Sequence, residues 1–582
     1  MQHLIQKILL SVLVASACIL IPFFPATAQQ PSNSTSSAVQ SAESLYVSFD
    51  KPFYAVGETM WFSIFFLNPK TVQSGVIYID MLNPAGEVVM QQKLKAEDIG
   101  AYSEFTIPFS WSEGYFRFRA YTLWNLNFDA SWVFTKDIPI YSEWKETLAL
   151  PEYEANPKTN VPAIKIKGSL KIMIQPDQAT YQKGEKVTVN IRVTDANDQP
   201  VQAHLSLSVR DLDLVPMDST DIVAYQHESA QATNPRQTSK SLYIPEKSLT
   251  LSGTLMEADN KTPLNTRFLS IYLAENRDFL NAEITKGELF VKLPDFYGAQ
   301  TLQIHNHNPY QSASPQVNIT NIAELLPAEI MTKATPPRTP ALAQYLYLSS
   351  MRRKLNEIFG LTEENTMTTA QDTLSFLADK TYWMKDYQLL KNMEDFIREV
   401  IFRSRIREEN EGKTVRLYNM ETQRYFEDAP WYVVNGYLVT DEALVLSIPA
   451  NNIEKIAFFY RRNTLVQQFP PMMLRSGVLV IDTKENKIFP FLLNASNNFT
   501  YDGFYLPRNF ETYLQQTLDK LEQTPDFRPL VFWSPQIITD QKGNASIAFT
   551  ATDAISQFLI QAEGASNQGK TGVAQAVYRI TF

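Results

Sequence analysis

From residue 45 to residue 140 the chain is a succession of short apolar runs broken by turns, a rhythm that leaves few folds open to it. Leu45-Tyr46-Val47-Ser48-Phe49 alternates, residues 60–67 are aromatic and apolar, and Gly75-Val76-Ile77-Tyr78-Ile79 alternates again. Asn83-Pro84-Ala85-Gly86 supplies a turn before the return run Glu87-Val88-Val89, and residues 114–121 carry one apolar and one basic face. Side chains of a strand alternate between its two faces, so each run presents one face to a core. Short strands at this spacing predict a β-sandwich over residues 45–142.

The rhythm returns near Leu170. Phe53-Tyr54-Ala55-Val56-Gly57-Glu58-Thr59-Met60 corresponds to Thr180-Tyr181-Gln182-Lys183-Gly184-Glu185-Lys186-Val187, each a Tyr-x-x-Gly-Glu leading into a strand. Glycine takes the turn conformation that side chains resist. Repetition at this distance implies related domains in tandem, because solenoid repeats are much shorter. A second β unit is therefore expected over 165–215, with a turn at 195–200 and a strand at 204–209.

A polar, loop-like stretch is expected over 216–245, followed by a third β unit over 246–320. Pro336, Pro337 and Pro340 end the β region and open a helical region over 336–412. One helix is predicted at 341–358, with Leu346, Met351, Leu355 and Ile358 on one face. A second is predicted at 386–405, its stripe made of Leu389, Leu390, Met393, Phe396, Ile397, Val400 and Ile401. Packing within the protein is the commoner reading of such stripes, and docking of a partner helix is the other. A small α+β unit follows over 413–485, and a β unit over 524–582 closes the chain, with a turn at Asp540-Gln541-Lys542-Gly543. At 582 residues the chain is too long for one core. The expected class is mainly β, with tandem β-sandwiches, a helical insert and a small α+β domain.

Residues 50–59 and 181–189 resemble domains of the alpha-2-macroglobulin superfamily, and more closely the shortened macroglobulin-domain proteins of Bacteroidota. The likeness covers about residues 45–215 and implies immunoglobulin-like or macroglobulin-like sandwiches. The run Arg528-Pro529 to Trp533-Ser534-Pro535 with its following hairpin resembles the same chains. Residues 246–320 resemble a carboxypeptidase-regulatory sandwich. Residues 430–436, 448–456 and 477–483 resemble the plug domain of TonB-dependent outer-membrane receptors, with Asn435 where that family usually has Asp. Any small α+β unit with the same strand edges is the alternative. A plugged barrel needs about 22 strands of roughly ten residues each. Only residues 484–582 follow, so a transporter is not implied.

Lys7, an apolar run over 8–24 and the small-residue site Ala26-Thr27-Ala28 read as a Sec-type signal peptide over 1–28. Pro22 and Pro25 weigh against the alternative, a retained anchor. The Ser- and Gln-rich stretch 29–44 reads as a flexible tether, and no later segment is apolar enough to span a bilayer as a helix. The single cysteine, Cys18, follows Ala15-Ser16-Ala17, a weak lipobox; the apolar run continuing past it disfavours lipidation. Cleavage after Ala28 leaves a mature chain without a thiol. A eukaryotic secreted protein of this size normally carries disulfides, so an exported protein of a bacterial envelope, periplasmic or outer-membrane-associated, fits better. The sequon matches at Asn318 and Asn494 are then chance.

A net charge of −10 without a basic aromatic-rich run argues against nucleic acid. Macroglobulins that trap proteases covalently use a Cys-Gly-Glu-Gln thioester, which this sequence lacks. Of five histidines, His3 belongs to the signal, and His204, His227, His305 and His307 remain. His305 and His307 would share a strand face, but no further ligand completes a metal site. No catalytic, cofactor or metal residues are assigned and no cofactor is expected. Trp111, Trp124, Trp132, Trp431 and Trp533 are candidates for stacking on sugars, with core packing the default. The leading expectation is a non-enzymatic binding or scaffold protein with a protein partner in the periplasm or outer membrane. The alternatives are a hydrolase of polysaccharide or peptide with unassigned carboxylates, and a noncovalent protease inhibitor whose bait is the polar segment 226–240.

Overall fold

A computed structural model describes residues 42–97, 99–142, 166–218, 220–231, 243–257, 262–264, 268–274, 278–306, 316–326, 331, 335–358, 378–387, 389–409, 412–439, 441–469, 471–484, 498–520 and 525–581. The signal, most of the tether and Cys18 lie outside them, as do His307 and residues 232–240 of the bait segment.

The first sandwich packs a three-stranded sheet (Leu45–Phe49, Thr59–Phe66, Gly100–Thr106) on a five-stranded one. The five run in the order Tyr54–Ala55, Phe134–Tyr141, Gly114–Tyr121, Val76–Leu82, Val88–Lys95. Met60, Phe62, Ile64, Ile77, Ile79 and Met81 fill the space between them. The strands Thr59–Phe66 and Val76–Leu82 are buried on both faces. Trp61 points the other way, into the core of the second sandwich, and Val76 and Tyr78 point into that of the third. Double-sided burial explains the nearly continuous apolar run of residues 60–67, and in the alternating segment 75–79 it puts Val76 and Tyr78, on the second face, into a neighbouring core.

The second sandwich repeats the first strand for strand. Its small sheet is Lys171–Pro176, Lys186–Thr194, Asn544–Thr550. Its large sheet runs Thr180–Tyr181, Thr571–Ile580, Gln557–Ser566, Ala203–Asp211, Leu530–Ile538, with Ile166–Gly168 added beside Thr571–Ile580. The segments expected as separate units at 165–215 and 524–582 thus hydrogen-bond within the same sheets. In the first sandwich, Val76–Leu82 and Val88–Lys95 are joined by residues 83–87. The equivalent pair in the second, Ala203–Asp211 and Leu530–Ile538, is joined by everything from 212 to 529.

That long connection contains two further bodies. The third sandwich pairs Glu288–Lys292, Thr250–Met256 and Gln316–Ile319 in one sheet. The other sheet is Asp278–Glu283, Phe268–Leu273, Ala299–Asn306 and Asn498–Asp502, so its last strand comes from beyond the expected boundary at 320. Between these parts lies an α+β body whose sheet runs Lys380–Trp383, Ile453–Phe459, Val478–Thr483, Trp431–Val434, Tyr437–Val439. Its central pair, Trp431–Val434 and Val478–Thr483, is parallel. Asn435 and Gly436 turn the last hairpin, both with positive φ (49° and 84°), which is the type I′ requirement that Asn-Gly meets.

Four expectations are corrected. The polar loop begins as the helix Ile222–Gln231, because Ile222 and Val223 have an apolar core to dock into at the seam between the first two sandwiches. Ala42 and Glu43, placed in the tether, are 0% and 1% exposed. The Glu43 carboxylate accepts from the backbone of Gln73 and Ser74 and from the Thr122 hydroxyl, which holds this end of the stretch in place. In the helix Pro340–Ile358 the buried face is Leu342, Tyr345 and Leu346, while Met351 is exposed. The helix expected at 386–405 is only Met393–Glu399. Asn392 caps it by accepting from Asp395 N; Met393 N donates to Ile448 O and Lys391 O accepts from Ala450 N, so the segment before the helix pairs with 448–450 instead of extending it, and Leu389 is exposed. The rest of the supposed helical region contributes the strand Lys380–Trp383 and the hairpin Arg405–Glu409 with Gly412–Arg416.

Among the described residues no helix is long and apolar enough to cross a membrane. The shared sheets give a direct test. A chain ended at Thr524 lacks the strands that cover Val187, Val189, Leu205 and Leu207, and residues 166–211 should become the first segment cut in limited proteolysis. Unchanged resistance there would contradict the strand pairing.

Candidate functional site

The repeated motif is a pair of clasps. In the first sandwich Asp50 Oδ1 accepts from the Tyr54 hydroxyl at 2.5 Å and from Trp61 N at 3.0 Å. In the second, Asp177 Oδ1 accepts from the Tyr181 hydroxyl at 2.6 Å and from Thr188 N at 3.0 Å. The glutamate closes its own turn in both, Glu58 Oε2 accepting from Ala55 N at 3.1 Å and Glu185 Oε2 from Gln182 N at 2.8 Å. Gly57 and Gly184 stand at φ +82° and +69°, which a side chain resists, and a Cβ on Gly57 would strike the Phe109 ring. Each tyrosine's short strand then pairs in parallel with the last strand of its sandwich. The Asp lies four residues before the Tyr in both repeats, so the sequence signal extends to Asp-x-x-x-Tyr-x-x-Gly-Glu.

Among the described residues, only the first clasp is roofed. The helix Pro340–Ile358 lies over it, with Phe53, Ala55 and Tyr141 packed on Leu342, Tyr345 and Leu346. Lys51 Nζ donates to Glu58 Oε2 at 2.8 Å and to the Tyr345 hydroxyl at 2.7 Å. Tyr345 in turn donates to Glu58 at 2.8 Å, and Ser349 adds a bond of 2.9 Å. Burial works against the Glu58 charge, yet Lys51, Arg352 and these hydrogen bonds outweigh it and hold the carboxyl at about 2. Asp50 goes the other way: burial raises it to about 6 despite Lys51 and Tyr54, and its Oδ2 has no hydrogen-bond partner. Asp177 is exposed, and hydrogen bonds from Tyr181 and Thr188 lower its carboxyl.

Polar groups also line the seams. Between the first two sandwiches the Glu563 carboxylate accepts from the Tyr46 hydroxyl at 3.2 Å and from Ile222 N at 3.0 Å. Arg210 donates to Asp50 O at 3.2 Å and to Gln561 Oε1 at 3.0 Å. Between the first and third sandwiches Glu246 receives the Tyr78 hydroxyl at 2.7 Å and the Thr250 hydroxyl at 2.5 Å. Glu104 holds Arg508 at 2.9 Å and Tyr505 at 2.8 Å. Burial raises Glu104, Glu246 and Glu563 above the usual carboxylate range, and Asp211 to about 6. All four are at most 4% exposed, so the perturbation of Glu104, Glu246 and Glu563 belongs to the packing between bodies, and that of Asp211 to the second sandwich itself, where Ser556 and Asp213 N bond it.

The residues singled out from sequence do not converge. Trp533 and Trp124 are buried, Trp111 stacks on Phe116 at 4.6 Å, and Trp132 packs beside Phe128. Trp431 is half-buried against the α+β core. His204 lies on the strand Ala203–Asp211, His227 is exposed on the helix Ile222–Gln231, and His305 pairs across from Ser270. Of the bait segment, Gln226 is bonded to Gly569 O and the Thr571 hydroxyl within that docked helix.

These features define a mainly β protein of packed β-sandwiches joined by polar seams. No family model matches the chain, and no curated protein matches it. Among solved structures, the Escherichia coli alpha-2-macroglobulin activated by porcine elastase aligns over 93% of this chain and 44% of that chain, with 9% identity and a TM-score of 0.24. The Salmonella alpha-2-macroglobulin reacted with methylamine aligns over 93% of this chain and 39% of that chain, with 8% identity and a TM-score of 0.24. The chain thus spans less than half the length of the structures it aligns with.

Two outcomes follow from the clasps. Tyr54→Phe strips a donor from a buried carboxyl and should cost about 2 kcal/mol in denaturant unfolding, against about 0.5 kcal/mol for Tyr181→Phe, whose Asp177 faces water. Glu58 contributes stability that is full above its unfolded value, near 4.5, and is lost as pH falls through that range toward about 2. The protection factors for hydrogen exchange over residues 340–358, each relative to the unfolded rate at the same pH, should therefore fall in wild type on acidification below about pH 4.5, and be low already at neutral pH in Glu58→Gln. Equal protection in both proteins at neutral pH would remove Glu58 as the holding group.

Proposed function

We propose that this protein is a non-enzymatic binding scaffold, exported to a bacterial cell envelope, that holds a protein partner at the periplasmic or outer-membrane side. The observation that carries the reading is the serial packing of the bodies. Trp61 seats in the second sandwich, Val76 and Tyr78 in the third, and Tyr272 and Ala274 of the third in the α+β core. Bodies fixed in this way hold their outer sheet edges at set separations, and an unpaired edge accepts an extended peptide by strand addition. The strand Val88–Lys95 ends its sheet, with Val88 and Val89 40% and 37% exposed. The α+β body, whose sequence resembles a receptor plug, is the part assigned to outer-membrane machinery.

The test is cross-linked capture from the protein's own cell envelope with the tagged mature chain, beside Val89→Lys, which places a charge on the edge. The expected result is one recovered envelope protein, lost in the variant at unchanged melting temperature. Equal capture by both proteins removes this edge as the binding surface. Turnover of a polysaccharide or peptide by the purified chain overturns the non-enzymatic reading.

A further inference from the structure

Where the first sandwich meets the third, a cleft of about 530 Å³ opens beside Lys93. Its Nζ donates to the main-chain oxygen of Asp502 at 2.7 Å and lies 3.7 Å from the centre of the Tyr501 ring. No carboxylate among the described residues forms an ion pair with it. Burial lowers this ammonium to about 8, against the pull of Glu246 and Asp502. A carbonyl and a ring face only partly replace the water and counter-ion that this half-buried cation gives up. The lining of the cleft also includes Ser252, Thr320 and Thr500, and Asn321, whose amide donates to Glu324 at 3.0 Å.

We propose that this cleft binds a hydroxyl-rich monocarboxylate of sugar-acid size, with its carboxylate on the Lys93 ammonium and its hydroxyls on Ser252, Thr320 and Thr500. The volume lies in the range of small-molecule sites, and the Tyr501 and Phe504 rings supply apolar surface beside the polar groups. The charges around Lys93 limit the ligand. Glu246 is occupied by the Tyr78 and Thr250 hydroxyls, and Asp502 is exposed. Together they oppose a second negative charge, so one carboxylate is favoured over two. The Tyr78 and Tyr501 phenols, raised by burial, stay neutral beside it. The cleft shares the strand Val88–Lys95 with the edge proposed for a protein partner but lies at its Lys93 end, and the variants Lys93→Gln and Val89→Lys test the two readings separately.

Calorimetric titration of the full mature chain with D-glucuronate, D-glucose and acetate decides the matter. Glucuronate should bind at least about tenfold more tightly than either of the others, because neither carries both recognition elements. Lys93→Gln should lose about tenfold in glucuronate affinity with an unchanged circular dichroism spectrum. Should that variant fail to fold, wild-type affinity between about pH 6.5 and about pH 9.5 serves instead, falling as Lys93 loses its proton. Absence of glucuronate binding, glucose or acetate binding as tightly as glucuronate, or an affinity indifferent to both Lys93 and pH overturns the proposal.

Discussion

The burial of the first sandwich on both of its outer faces is the constraint from which the rest of the architecture follows. A sandwich ordinarily turns polar residues outward, and here Trp61 and Tyr78 replace them. Left uncovered, those faces would present large apolar patches to water. The second and third sandwiches are therefore partners the first needs, and their polar seams settle the docking. Tyr46 on Glu563 and Tyr78 on Glu246 each put a hydroxyl from the first sandwich on a buried carboxyl of a neighbour. A misdocked body would leave those groups dry and unpaired, at a cost of a few kcal/mol apiece.

The two clasps show one local device put to two uses. Both tie an aspartate to a tyrosine hydroxyl and to the backbone of the incoming strand. In the second sandwich the glutamate of the turn faces solvent near Gln178. In the first it has become the acceptor for Lys51, Tyr345 and Ser349, and a helix from far along the chain is anchored on it. The difference at the position after the aspartate, Lys51 against Gln178, accounts for the buried charge pair at one site and its absence at the other.

What was legible in the sequence was local. Period-two runs such as residues 45–49 and 75–79 are strands, and Tyr-x-x-Gly-Glu marked equivalent turns, because both depend on neighbours in the chain. Sheet membership depends on partners hundreds of residues away, so Asn544–Thr550 gave no sign that it lies beside Lys186–Thr194. The helix Ile222–Gln231 was hidden for a related reason. Its polar composition suits a loop, and it takes shape against a core to which it contributes Ile222, Val223 and the ring of Tyr225. Lys93 carried no pattern at all, since its setting is made by Tyr501 and Asp502 from another sandwich.

The replacement of a five-residue hairpin loop by residues 212–529 has a consequence for how the molecule comes into being. The α+β body sits between the strands of the third sandwich, and both sit between the strands of the second. The bodies are nested like brackets, and the outermost pair stays open until Leu530–Ile538 and the strands after it exist. Each inner body has all its strands sooner than the body around it, and the insert leaves the second sandwich where Arg210 and Leu530 face each other as neighbours. An enclosed body that has already folded brings the two halves of its host close together, which shortens the loop the last sheet must close. Assembly in such a chain runs from the inside outward.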